Sequence, residues 1–285
     1  SLSPSARDAR LVGSLSVSAF ITSGLLLLIL VFLVKESWPA IQSAGLSKFL
    51  RADGWYPTEG AYGLLPMLAA SMAMSAVAIL IAAPFGVASA LFCRFYAPPV
   101  IARAYRWAII LLAGIPSVVL GLWGLTVIVP LITWLSPPGT SLLAGSLILA
   151  LMILPTVALT TEAALAAVPK SYWQGAAALG LSREATILSV ALPSTRASIY
   201  AGILLAAARA LGETMAVLMV SGNVVQIPTS LFDPVRTLTA NIALEMAYAT
   251  GNHRASLFVS GLMLTVLVLA LAVGARRNGG QIVHA

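Results

Sequence analysis

The chain has 285 residues, of which 60% are apolar and only 9% charged, with 16 Lys and Arg against 9 Asp and Glu for a net charge of +7. So apolar a composition lies outside the range of soluble domains and excludes the soluble enzyme classes. The basic excess flanks apolar runs, which reads as membrane topology and not as a nucleic-acid footprint, and one cysteine with two histidines excludes an internal disulfide and a Cys/His metal cluster.

A helix needs about 20 mostly apolar residues to cross the hydrocarbon core. Apolar runs of that length fall at 11–34, 63–93, 107–134, 142–168, 197–222 and 255–275, which predicts an all-α, polytopic membrane protein with six transmembrane helices. The first run is too long for the core of a cleaved signal and reads as a retained span. Residues 1–62 are assigned to this span and a surface segment, 63–275 to a core of five spans with a polar loop at 169–196, and 276–285 to a tail. With the N-terminus inside, the inner segments carry ten basic residues, Arg7, Arg10, Arg94, Arg103, Arg106, Lys170, Arg183, Arg196, Arg276 and Arg277, against two acidic ones. The outer segments carry five of each sign, Arg236 and Glu245 among them. This asymmetry places both termini in the cytoplasm. The outer segment 35–62 has Ile41, Leu46, Phe49 and Leu50 at helical spacing and reads as a helix lying on the membrane, a cap on the pore being the alternative.

Three charges remain inside spans: Glu162, Arg209 and Glu213. Glu162, near the inner end of the fourth run, reads as a solvated or capping residue. Arg209 and Glu213 are four apart, so a continuous helix projects both from one face and lets them pair. At 1.5 Å per residue Arg209 lies about 18 Å into its run, near the bilayer midplane, where a charge is costly and marks a polar path, a structural clamp or a proton relay. The path is preferred: the guanidinium fork presents two N–H donors to an oxyanion, with Glu213 holding the fork and moderating its field. Thr214 and Asn223 follow on the same span, and Ser117 lies beside Pro116 and Gly121 of the third; all three are translocation candidates. No nucleophile stands beside a base, since Cys93 has no neighbouring histidine and His253 and His284 read as solvated. No catalytic residue and no metal ligand is assigned.

The 169–196 loop carries a helical stripe through Trp173, Ala177, Leu181, Ala185 and Leu188, suited to docking or to resting on the membrane surface. The chain's lysines, Lys35, Lys48 and Lys170, all lack the glycine of a phosphate-binding loop, so no cofactor is assigned here and any ATP chemistry belongs to another subunit.

This loop resembles the EAA signature of ABC importer membrane subunits, which runs E-A-A, three residues, G, nine residues, I-x-L-P. Gln174, Gly175 and Ala176 fill the first positions, Gly180 the glycine, Val190 the isoleucine, and Leu192 and Pro193 the ending; Gln174, Gly175 and Val190 depart from the pattern. The stretches YGLLP at 62–66, GIPSVVLGLWGL at 114–125 and ARALGETMAVLMVSGN at 208–223 are similar to phosphate-specific transport permeases of the PstC type, with ASM at 70–72 replacing their usual Gly-Thr-Leu. The resemblance implies a type I ABC importer permease in the bacterial inner membrane. It would be paired with a PstA-type subunit, two PstB-type ATPases that bind ATP and Mg, and a periplasmic PstS-type phosphate-binding protein. Arg209 and Glu213 take part in translocation in that family. The loop, with Tyr172, Trp173, Gln174, Gly175, Ala176, Gly180, Leu181, Leu192 and Pro193, forms its ATPase-coupling element. Other oxyanions, sulfate or molybdate, and a stand-alone channel or proton-coupled carrier are the competing functions.

Overall fold

In a computed structural model the backbone is described over residues 6–280 and the side chains over 12–274. The readings on Arg7, Arg10, Arg276, Arg277 and His284 therefore concern side chains outside the described residues.

The elements are α1 (Ala6–Ala44), α2 (Leu46–Phe49), a short antiparallel hairpin of β1 (Trp55–Tyr56) and β2 (Ala61–Tyr62), α3 (Leu65–Leu91), α4 (Pro99–Gly114), α5 (Ser117–Trp123), α6 (Val129–Thr133), α7 (Leu142–Ala166), α8 (Lys170–Ala178), α9 (Arg183–Thr186), α10 (Leu192–Gly212), α11 (Met215–Val220), α12 (Leu238–Glu245) and α13 (Gly251–Gly280). Single π-helical turns close α3 at Phe92–Tyr96, join α5 to α6 at Gly124–Ile128 and precede α10 at Ile187–Ala191. Five helices are long and apolar enough to cross a membrane, and the bent pair α4 and α5–α6, taken as one span, gives a sixth.

The core is the packing of α3 on α7. Ala70, Met74, Ala78 and Ala82 recur every fourth residue on α3 and meet Leu149, Ala150, Ile153 and Val157 of α7, with Ala206 and Ala210 of α10 closing the cluster. Small residues at this spacing let membrane helices approach closely where burial against lipid gives no driving force. At Gly86 the approach is close, since an added Cβ would stand 2.7 Å from a Val157 methyl. Gly86→Val is expected to destabilise by about 1–3 kcal/mol through overpacking, read as a lower midpoint of thermal unfolding of the detergent-solubilised protein.

Two of the predicted spans are not straight. The third begins at Pro99 and turns by 96° between α4 and α5. Pro116 has no N–H to donate and forces its predecessor out of the helical region; Ile115 is extended, at φ −68° and ψ 127°. The fifth is helical from Arg183, through a π turn, to Gly212, and breaks before α11.

The 35–62 segment also departs from a helix lying freely on the membrane. α1 continues unbroken to Ala44, and the remainder folds onto protein: Phe49, Trp55 and Tyr62 are buried with Leu238, Ala249 and Leu257. The aromatic rings supply the reason, because Tyr62 stacks on Phe49 at 5.9 Å and meets Trp55 edge-on at 5.9 Å, large apolar surfaces that bury on protein while Leu46 and Leu50 stay exposed. The segment is a cap at the end of the bundle opposite the 169–196 loop.

Candidate translocation site

The two helix breaks face each other. α5 packs on α11, so closely that a Cβ on Gly121 would lie 2.8 Å from the Cα of Ala216. Breaks at membrane depth expose backbone donors and acceptors, and these are tolerated where side chains satisfy them or where they line a cavity.

At the α10–α11 break, Glu213 is extended, at φ −71° and ψ 131°. Its carboxylate does not reach back to Arg209: Oε1 accepts from the amide of Ala216, 3.3 Å away, capping the first turn of α11. Its carbonyl accepts from the Thr239 hydroxyl at 2.9 Å, and Thr239 in turn lies 3.1 Å from the hydroxyl of Thr237. The expected Arg209–Glu213 pair is therefore absent, because the chain leaves the helix at Gly212 and the four-residue spacing no longer sets the geometry. Arg209 stays in the last turn of α10, where the negative end of the helix dipole favours a cation. It is exposed on this chain and forms none of the ion pairs among the described residues.

The other expected residues divide. Thr214 stands at the head of α11 beside the break, its hydroxyl 3.4 Å from the Gly212 carbonyl, and Ser117 opens α5 directly after Pro116; both are partly exposed. Asn223 serves as an end cap: it adopts φ 57°, its carboxamide donates to the Leu218 carbonyl at 2.8 Å, and its own carbonyl accepts from Arg236 Nε at 2.9 Å. Sequence reasoning missed Ser71, Ser75, Thr237 and Thr239, which line the buried contact of α3 and α12 with Glu213, a contact that encloses no space of water size.

A second polar cluster was missed at the cap end. Glu245 is 7% exposed. Its Oε1 accepts from Arg236 Nη1 at 2.8 Å, and its Oε2 from Trp55 Nε1 at 2.7 Å and lies 2.8 Å from His253 Nε2. Arg236 also donates to the Asn241 side chain at 3.1 Å. His253 is thus half-buried and partnered rather than solvated, since Glu245 gathers the surrounding donors to offset its own desolvation. The signal in the sequence was a lone carboxylate within the apolar run NIALEMA, with Asn241 one helical turn before it. Nearby, the backbone amides of Thr229 and Ser230 and the Thr229 hydroxyl all donate to Asp233 and hold its carboxyl below the usual carboxylate range.

Glu162 is paired too. Both its oxygens accept from Arg106 of α4, Oε2 from Nε at 3.3 Å, so this pair ties α4 to α7 instead of leaving Glu162 to solvent or to a cap.

In the loop, α8 ends in a Schellman turn. Gly180, at φ 68°, donates to the Ala177 carbonyl at 3.0 Å, and Leu181 donates to that of Ala176 at 3.1 Å. That turn separates the expected stripe into two helices, so it is not one face. Tyr172, Gln174, Gly175, Leu179 and Gly180 are exposed, with Leu181 at the margin, while Trp173 is half-buried and Ala176 buried. Leu192 is half-buried and Pro193 exposed at the foot of α10.

A bundle of six spans whose core helices break in pairs, with an exposed helical loop at one end, defines a membrane permease of the type I ABC importer architecture. The same fold occurs in a chain of the MetNI methionine ABC transporter, with a TM-score of 0.58 over 77% of this chain and 94% of that one at 17% identity. The chain belongs to the family of binding-protein-dependent transport system inner membrane components, whose sequence profile matches residues 82–277. A probable ABC transporter permease of Bacillus subtilis, YqgH, is 44% identical over 110 residues, 37% of this chain and 36% of that protein. The phosphate transport system permease protein PstC of Mesorhizobium japonicum is 36% identical over 144 residues, 43% and 44% of the two chains. The matched stretches span under half the length of these relatives.

Proposed function

We propose that this chain is a PstC-type permease subunit that moves inorganic phosphate across the bacterial inner membrane by alternating access, driven by ATP hydrolysis in a partner. The observation that carries the reading is Arg209, an exposed cation with no ion-pair partner among the described residues, at a break in a membrane helix. Similarity to PstC proteins supports phosphate as the cargo. Phosphate is costly to desolvate, and a guanidinium with hydroxyls such as Thr214 and Ser117 replaces its water without holding it irreversibly. On this reading both termini and the 169–196 loop are cytoplasmic. A PstA-type subunit completes the passage, two PstB-type ATPases bind ATP and Mg, and a PstS-type protein delivers phosphate to the cap end.

The test is uptake of labelled phosphate into proteoliposomes holding the four-component complex. ATP-dependent uptake outcompeted by unlabelled phosphate and not by sulfate or molybdate is expected; competition by either of those would reassign the cargo, and uptake by this chain without ATPase would reject the ABC mechanism.

Gly180→Val provides a second test of the loop. No atom lies within 4 Å of a Cβ there, but φ is positive, so the substitution strains the turn by about 1 kcal/mol or more without a steric clash. Transport per ATP hydrolysed is expected to fall while binding-protein docking persists; wild-type coupling would remove the loop from the docking surface.

A further inference from the structure

The cytoplasmic loop is tied to the rest of the chain by contacts that the transport reading does not use. Trp173 of α8 meets Phe95 with ring centroids 5.5 Å apart. Arg183, at the start of α9, lies 4.8 Å above the centroid of Tyr96. The two loop residues stand on either side of the Gly180 turn, yet both press on the same short element, the π turn Phe92–Tyr96 that closes α3. Trp173 is thus turned toward its own chain, away from the exposed face offered to a partner.

The π turn has an inner side as well. Cys93 is 8% exposed and lines a narrow cleft with Tyr105, Arg106 and Ile109 of α4 and Glu162 of α7. The Arg106–Glu162 pair lies along that cleft and ties α4 to α7. At its other end α4 turns by 96° into α5, which packs on α11 beside Thr214. π bulges are among the few identifiable causes of bending in a helix and concentrate at functional positions, whereas the α3–α7 core preceding this one, from Ala70 to Ala82, is close-packed and transmits strain instead of absorbing it.

We propose that the Phe92–Tyr96 turn is the receiver of the loop's motion: Trp173 and Arg183 displace Phe95 and Tyr96, and the turn opens the Arg106–Glu162 pair and frees α4. This rests on the reading of the loop as the ATPase-docking element. Phe95, Tyr96, Arg106 and Glu162 are then positioning residues, acting on the passage through α4 and α5.

Cys93 is the chain's one cysteine and reports on the step directly. In the reconstituted complex, its alkylation by N-ethylmaleimide is followed by peptide mass spectrometry with and without ATP and vanadate. Trapping with ATP and vanadate is expected to raise the alkylation rate several-fold in the wild type. Phe95→Ala and Trp173→Ala are expected to abolish that rise, the Phe95→Ala complex still hydrolysing ATP, and Trp173→Phe and Phe95→Tyr, which keep the rings, to restore it. An unresponsive Cys93 in the wild type, or a full response in both alanine variants, overturns the proposal. The readout does not depend on the cargo: a responsive Cys93 without phosphate uptake sinks the phosphate reading alone, and phosphate uptake with an unresponsive Cys93 sinks the receiver alone.

Discussion

Arg209→Gln is expected to lower ATP-driven phosphate uptake by about two orders of magnitude while the complex assembles normally. The glutamine keeps much of the side chain's length and loses the charge, and a hydrogen bond to a charged group contributes about 1.5–3 kcal/mol, which at about 1.4 kcal/mol per decade reaches roughly a hundredfold. Arg209 makes no ion pair among the described residues, so its removal leaves no buried partner uncompensated there and the effect reads on transport instead of folding. Arg209→Lys should fall between, keeping the charge without the planar fork. Unchanged uptake in Arg209→Gln, with assembly confirmed by size-exclusion chromatography, would remove this residue from the passage.

Glu245→Gln is expected to act on stability in the opposite proportion. Both carboxylate oxygens are engaged in a nearly dry site, and removing one member of a buried pair costs about 3–5 kcal/mol because the other charge is left uncompensated. The midpoint of thermal unfolding should drop by several degrees. The control is Glu162→Gln, whose partner Arg106 is half exposed; pairs of that kind contribute about 0–1 kcal/mol. Equal unfolding midpoints for Glu245→Gln and the wild type would show that the cluster holds nothing together.

The contrast between these two carboxylates shows how far the sequence could be read. The spans at 63–93 and 142–168 were legible because each is an apolar run without charge at its centre, and they appear as α3 with its π turn and as α7. Gly180 was legible by its place in the EAA-like pattern, and the structure supplies the reason in a positive φ that only glycine adopts freely. The Arg209–Glu213 pairing was not, because it assumed a continuous helix across Gly212; the Gly-Glu-Thr step is itself a stop followed by a cap, as the bond from Ala216 to Glu213 shows. Pro116 was visible as a kink, but its angle depends on what α4 and α5 pack against. The Glu245 cluster joins residues 190 positions apart, and no local periodicity encodes that distance.

α1 follows a different rule from the rest of the chain. Its apolar window is unburied within the chain, and its packing is chiefly against α13, through contacts such as Phe32 on Phe258 at 5.6 Å. Leu25, Leu26, Leu27 and Leu28 are all more than half exposed on this chain, a flank suited to acyl chains. Exchange among Leu, Ile, Val and Phe along this flank should be nearly free, the only requirement being greasiness over the thickness of the bilayer. Such a helix asks for length and oiliness more than for particular letters.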